Sequence, residues 1–410
     1  MNPTRNPSLV ALAVTLACIT TASAQVAVKA KTLITMAGAP IENGVVVIED
    51  GKVTAVGPAA SVAIPSGCRV LEAAVVTPGL IDAHGTVGFS GALNQPHDQD
   101  QIDASDAIQP ELRAIDAFNP DERLVGYLRS FGITTVHVGH APGPVISGQT
   151  LVAKTKGGPV ADCVIVETAM IAARLGDREG RGRGEKSKDA GTRAKAAALL
   201  REALEDARDY GKKRSDGDAS KRPDRNLRKD ALLLLLDKKV PLLVTAERHQ
   251  DIETALRIAK EFDLRLVLDG GAEAPSLIGP IHDAGVPVIV HATMARPSGE
   301  RENATFEDAA KLKAAGIQIA LQSGFEGYVP KTRVVLLEAG VAAANGLSRD
   351  EALAAITIDA AKILGVDARV GSLAVGKDGD VALYDGDPLE YTTHCVGVVI
   401  DGKVVSEEKR

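Results

Sequence analysis

The chain contains no tryptophan, and aromatic residues fill only 3% of its 410 positions. It also lacks any surplus of positive charge, since 54 acidic residues stand against 47 lysines and arginines for a formal net charge of -7. A nucleic-acid surface draws on both stacking rings and a basic excess, so these deficits argue against such a partner. Cysteine is scarce, with four in all. Cys68, Cys163 and Cys395 are too widely spaced for a metal knuckle and too few for a disulfide scaffold, and are expected as small buried apolar residues with one bridge at most. Beyond the first residues, nothing approaches the roughly 18 uninterrupted apolar residues of a membrane span.

What is expected first is a leader. Arg5 precedes the apolar stretch Leu9 to Ile19 and the small residues Ala22-Ser23-Ala24. This reads as a secretory signal peptide over 1–24, cut after Ala24 so that the mature chain starts at Gln25. Thr15-Leu16-Ala17 before Cys18 matches a lipoprotein signal poorly. The expectation is therefore a secreted or periplasmic protein with no membrane attachment after processing.

The remaining composition, 45% hydrophobic and 25% charged, is that of a globular protein large enough for two or three domains. Residues 26–78 read as short strands broken by turns, with Glu49-Asp50-Gly51 as a hairpin signal between Gly44–Ile48 and Lys52–Val56. The other end repeats this grammar in Asp380–Tyr384, Gly397–Ile400 and Asp401–Val405. The two ends are read as one composite β domain, a small sandwich made of 25–78 and 370–410. Between them, over 79–369, apolar strand runs such as Ile133–Val138, Pro241–Thr245, Leu264–Leu268, Val286–Val290 and Ile317–Leu321 alternate with helical patterns. That alternation predicts an α/β fold, a TIM-like (β/α)8 barrel built of parallel units. A charged insertion over about 177–230 interrupts it, with a helix from Thr192 to Tyr210 that Gly211 is placed to end. Acidic residues are interleaved with Arg181, Arg183, Lys186 and Lys188, so a solvated insertion beside the barrel is the expectation there.

The run Val76-Thr77-Pro78-Gly79-Leu80-Ile81-Asp82-Ala83-His84 resembles the barrel entry of the amidohydrolase superfamily, especially its imidazolonepropionase-like branch. Gly132–Val136, Ser147-Gly148-Gln149, Ala360–Gly365, Gly371-Ser372-Leu373 and Gly376–Asp380 fit the same family. The resemblance implies hydrolysis of amides, cyclic amides or other C–N bonds by water activated on one or two divalent ions, typically zinc, at the barrel mouth. It also implies the ligands: a His-x-His pair after the first strand, single histidines after the fifth and sixth, an Asp after the eighth, and often a bridging Lys or Glu.

This sequence departs from that pattern at nearly every ligand. His84 fills the first place of the pair, but Thr86 stands at the second, Thr245 and Gly270 at the single histidines, and Gly324 at the Asp. Glu167–Gly176 carries no bridging lysine. Threonine is a poor zinc ligand and glycine offers no side chain. The reading is therefore a catalytically degenerate relative, with no cofactor expected, acting by binding a small molecule or as the partner of an active amidohydrolase. It is compatible with homo- or hetero-oligomers. The alternative is an active C–N hydrolase with a rearranged site around His84, Glu247 and His291, holding zinc or another divalent metal. His137, His140 and His249 carry no spacing signal, and His97 sits among Asp98, Asp100, Asp103 and Asp106 in a loop expected to be solvated.

Overall fold

The computed structural model of the protein describes residues 25–93, 95–176, 190–325 and 333–410. The signal-peptide reading and Arg181, Arg183, Lys186 and Lys188 lie outside the described residues. In chain order the strands are β1 (Val26–Leu33), β2 (Ile41–Glu49), β3 (Lys52–Pro58), β4 (Arg69–Pro78), β5 (Leu80–Gly85), β6 (Ile133–Val138), β7 (Ile146–Gln149), β8 (Leu151–Lys154), β9 (Val164–Val166), β10 (Ile171–Arg174), β11 (Leu242–Ala246), β12 (Leu266–Gly270), β13 (Val288–Val290), β14 (Ile319–Leu321), β15 (Val381–Tyr384), β16 (Cys395–Ile400) and β17 (Lys403–Ser406).

Strands from both ends of the chain form one seven-stranded sheet in the order β17-β16-β15-β4-β1-β2-β3. The ten-residue β4 makes this possible, pairing parallel with β1 through 69–76 and antiparallel with β15 through 75–78. The ladder is thus continuous, where the sequence suggested the two separate sheets of a sandwich. The β2–β3 turn forms at Asp50 and Gly51, whose φ values of 51° and 76° match the twist of a two-residue hairpin.

The middle of the chain forms a six-stranded sheet, β14-β13-β12-β11-β10-β7, and a four-stranded one, β5-β6-β8-β9. From β10 to β14 every pairing is parallel, as expected of apolar strands separated by helices such as His249–Phe262, which buries Ile252, Ala255, Ile258 and Ala259 on one side. The expected parallel pattern breaks at β7 and β8. The run 146–154 pairs antiparallel with β10 through β7 and antiparallel with β6 through β8, and so joins the two sheets. The cause is connection length: only Gly139–Val145 separate β6 from β7, too few for the dozen or so residues that a parallel crossover requires. On the opposite side Gly85 and Gly324 form a parallel bridge, and Gly324 N–H donates to the His84 carbonyl at 3.1 Å.

The helix predicted to end at Gly211 runs from Arg193 to Arg214, capped at Thr192, whose side chain accepts from Lys195 N–H. Gly211 lies inside it because the helix Leu227–Leu236 packs there: a Cβ on residue 211 would come within 2.7 Å of Leu233 Cδ2. The glycine serves close helix approach instead of termination. The capping box read at Ser348 and Glu351 is present.

Candidate functional site

An apolar layer and a polar layer follow each other along the strands. Leu243, Val267, Ile289 and Ala320 share one buried cluster. Two residues further along their chains, and so on the same side of each strand, stand Thr245, Asp269, His291 and Gln322. These positions lie at the C-terminal ends of β11 to β14, the ends at which α/β folds place their chemistry.

Asp269 is the hub of this polar layer. Its Oδ1 receives His84 Nδ1 at 3.0 Å and Gln322 Nε2 at 2.8 Å, and its Oδ2 receives the Thr245 hydroxyl at 2.5 Å. Burial alone would raise the Asp269 carboxyl, but His84 and these donors outweigh it and hold it below the usual range. The imidazole responds in kind: burial disfavours its charge, yet Asp269 and then Asp82 raise it above its ordinary value. His84 and Asp269 thus form a buried hydrogen-bonded pair in which each favours the charged form of the other. His84 Nε2 has no hydrogen-bond partner among the described residues, and neither has Asp82 Oδ2. Asp82 Oδ1 accepts the Ser323 N–H at 2.9 Å, and burial pushes this carboxyl up to about 6.

His137 packs behind His84, with ring centroids 5.4 Å apart. Its Nδ1 donates to the Ala83 carbonyl at 2.6 Å, so its Nε2 accepts the Thr150 hydroxyl at 2.7 Å. Burial, and then the charge of His84, hold it neutral down to about pH 3.

The other two residues of the rearranged-site reading have partners of their own. His291 directs Nδ1 at the Ala292 carbonyl and Nε2 at Asp308 Oδ2, each at 3.0 Å. Glu247 accepts the Ala272 N–H at 3.0 Å, lies within electrostatic reach of His291, Arg301 and Asp269, and is pushed up to about 7 chiefly by burial. Its carboxylate occupies the space above Gly270: a Cβ there would lie 2.6 Å from Glu247 Oε1, at a backbone φ of +85°. Glu247 thus fills the volume in which a side chain at 270 would begin. Glu338 adds a further buried carboxyl, accepting Met294 N–H at 2.6 Å and pushed up to about 7, again mainly by burial.

The metal implied by the resemblance asks for three or four nitrogen, sulfur or carboxylate donors. Among the described residues, no three His, Cys, Asp or Glu side chains come together in a way that could hold an ion. Thr86 accepts a hydrogen bond from Ser90 at 3.2 Å, Thr245 is engaged with Asp269, and Gly270 and Gly324 supply nothing. Both nitrogens of His291 are taken, which leaves His84 Nε2 as the one candidate donor from the inherited set. The residues present do not fit the family's divalent centre. His97 and His249 are exposed, away from the buried layer.

The structure sets His84, Glu247 and His291 at strand ends; the sequence reading had set His137 aside and did not single out Asp82, Asp269, Gln322 and Glu338. For Asp269 and Gln322 a signal existed: each lies two residues beyond an inward apolar residue, in the register of Thr245.

Comparison with known proteins bears on the family and the fold. The sequence profile of the amidohydrolase family matches residues 122–406. The chain is 25% identical over 398 residues to the amidohydrolase tasK of Hapsidospora irregularis, covering 88% of this chain and 39% of that protein. It is 37% identical over 103 residues to the imidazolonepropionase of Shewanella sp. (strain MR-4), covering 23% of this chain and 25% of that one. The chain thus spans well under two thirds of either curated relative. An amidohydrolase structure from Thermotoga maritima MSB8 superposes with a TM-score of 0.87 at 27% identity, over 93% of this chain and all of that one. Such neighbours imply a TIM-type barrel with an added domain. With its strand-end site and the profile match over more than half its length, the chain belongs to the amidohydrolase family.

Proposed function

We propose that this protein is an exported amidohydrolase-family member that has given up metal-dependent hydrolysis and acts by binding a small molecule at the strand ends. The carrying observation is the bond network of Asp269, which ties His84 to Thr245 and Gln322. A carboxylate with three donors, one of them the His84 imidazole, forms a self-contained pair. Charge that a metal would otherwise neutralise is neutralised by the protein itself. The same reading takes both sheets as the wall of one barrel, since 146–154 joins them on one side and the Gly85–Gly324 bridge meets them on the other.

A second reading, C–N bond hydrolysis without the family metal, draws on the unpartnered His84 Nε2. A nitrogen held in place through Asp269 is where a general acid or base would act. Metal analysis and a screen of amide and cyclic amide substrates separate the two. The binding reading predicts no hydrolysis above background, with or without added zinc, and no loss in His84→Ala. Turnover that disappears in His84→Ala establishes the second reading instead.

A further inference from the structure

We propose that His140 is an acid-sensitive latch, whose protonation releases the long loop after β5 from its seat against β7. The inference is independent of the binding reading above and needs no ligand. Residues 95–122 lead to the helix Arg123–Arg129 and dock on the chain that follows β6 through backbone hydrogen bonds. Ala141 N–H donates to the Gln101 carbonyl at 2.7 Å, Ile146 N–H to that of Ala107 at 3.0 Å and Gln149 N–H to that of Leu112 at 2.7 Å. Gln109 N–H donates in return to the Ile146 carbonyl at 3.0 Å. His140 lies in this seam and is only 7% exposed.

The seat is shaped for an uncharged ring. Phe89 meets the imidazole edge-on, with centroids 5.9 Å apart. Gly148 of β7, at a φ of +140°, lets the ring close in, since a Cβ there would lie 2.6 Å from His140 Cδ2 and 2.9 Å from its Nε2. The same Cβ would lie 2.7 Å from the Leu112 carbonyl oxygen, which therefore stands near Nε2 but is engaged by Gln149. Neither ring nitrogen has a hydrogen-bond partner among the described residues, and Gln101 Oε1 has none either. The charged groups facing the ring are Asp103 and Asp100, both on the loop, whereas Phe89, Gly148 and the Leu112 carbonyl bring no charge. Asp103 Oδ1 accepts the Ser105 N–H at 2.8 Å, and neither carboxylate bonds the ring while the loop is seated. A second ring proton would thus create a buried cation without a bonded counter-ion, which an open loop relieves by admitting water.

Burial outweighs Asp103, the Leu112 carbonyl and Asp100, and holds the seated ring below its ordinary 6.5. Opening therefore takes up a proton. Above 6.5 the ring is neutral in both forms and opening is indifferent to pH; below it opening grows easier, until the seated ring is protonated as well.

Hydrogen exchange of the whole protein, read by mass spectrometry and corrected for intrinsic rates, tests this by comparing about pH 7.5 with about pH 5. Peptides carrying the amides of Gln109, Ala141, Ile146 and Gln149 are expected to lose protection roughly fivefold or more on acidification, against a ceiling of about thirtyfold for one proton taken up near 6.5. Peptides from β11 and β12 are expected to keep theirs. His140→Phe, which cannot titrate, is expected to abolish the response, and His140→Gln takes its place should the phenylalanine variant fail to fold by circular dichroism. Equal protection of the loop at both pH values overturns the inference. So does a loss that persists in the non-titrating variant, or one shared equally by β11 and β12. An NMR titration that places the His140 ring of the intact protein at or above 6.5 overturns it as well.

Discussion

Two groups of buried charge in this molecule are built on different principles. One lies between the strands of the central sheets and the seven-stranded sheet. There Lys154, its side chain 2% exposed, meets Asp378 at 2.7 Å, Asp380 at 3.1 Å and Asp401. Around it Lys52 and Arg369 bind Asp378, and Lys156 binds Asp401. Every carboxylate has a cation in contact, although one oxygen of Asp380 has no hydrogen-bond partner among the described residues. At the strand ends, by contrast, Asp82 and Glu338 are buried with fewer partners, and one nitrogen of His84 and one oxygen of Asp82 face no hydrogen-bonding group among the described residues. Burying an ion costs several kcal/mol unless a counter-ion repays it. The first group repays that cost internally and so joins parts of the fold. The second repays it only in part.

The largest effect should come from breaking the paired group. Lys154→Ala leaves Asp380 without a cation and removes one cation each from Asp378 and Asp401, and removing one partner of a buried pair typically costs about 3–5 kcal/mol. Urea unfolding should show that loss, with the midpoint well below wild type. A loss under about 1 kcal/mol would place Lys154 among ordinary surface pairs. Next in size is Gly270→Ala at the strand ends, where a positive φ and the Glu247 carboxylate 2.6 Å away both oppose a side chain. Holding an alanine in the left-handed region costs roughly 1–3 kcal/mol. Adding Glu247→Ala should recover the steric part and leave the backbone part.

The two groups should also respond oppositely to pH. Burial raises Asp378, but Lys154, Lys52 and Arg369 more than reverse this and hold it down to about 2. Its pairing supports the fold above the ordinary value of 3.8 and is lost as pH falls through about 2. Burial instead pushes Glu338 from 4.5 up to about 7, so the folded state keeps a proton that the unfolded chain has released. Stability should therefore fall as pH rises between those values, with the full penalty present above them. Melting curves of Glu338→Gln should show a shallower decline over that window. An unchanged slope would remove Glu338 from the account. The smallest effect belongs to the exposed pair Lys29–Glu72, whose side chains are 46% and 68% exposed. Glu72→Ala should change stability by less than about 1 kcal/mol.

These groups were unequally legible in the sequence. The strand runs and the family's landmark residues could be read because a parallel strand buried on both faces must be almost wholly apolar. The substituted positions Thr86, Thr245, Gly270 and Gly324 could be read because their flanks kept the pattern. Asp269 escaped because it was judged as a neighbour of position 270, although its place two residues after Val267 turns it to the same side as Thr245. The Lys154 group could not be read at all, since its partners Asp380 and Asp401 lie 226 and 247 residues away in the chain. The antiparallel run 146–154 was hidden by the assumption that each strand must be followed by a helix, although the short, glycine- and proline-containing link Gly139–Val145 already excluded one.

The central claim is that the strand ends neutralise their own charge through His84 and Asp269 and hold no catalytic metal. Elemental analysis of the freshly purified protein, after dialysis without chelator, tests it most directly. The account predicts far less than one equivalent of zinc, manganese or iron per chain. A full equivalent that survives dialysis and is lost in His84→Ala would contradict it.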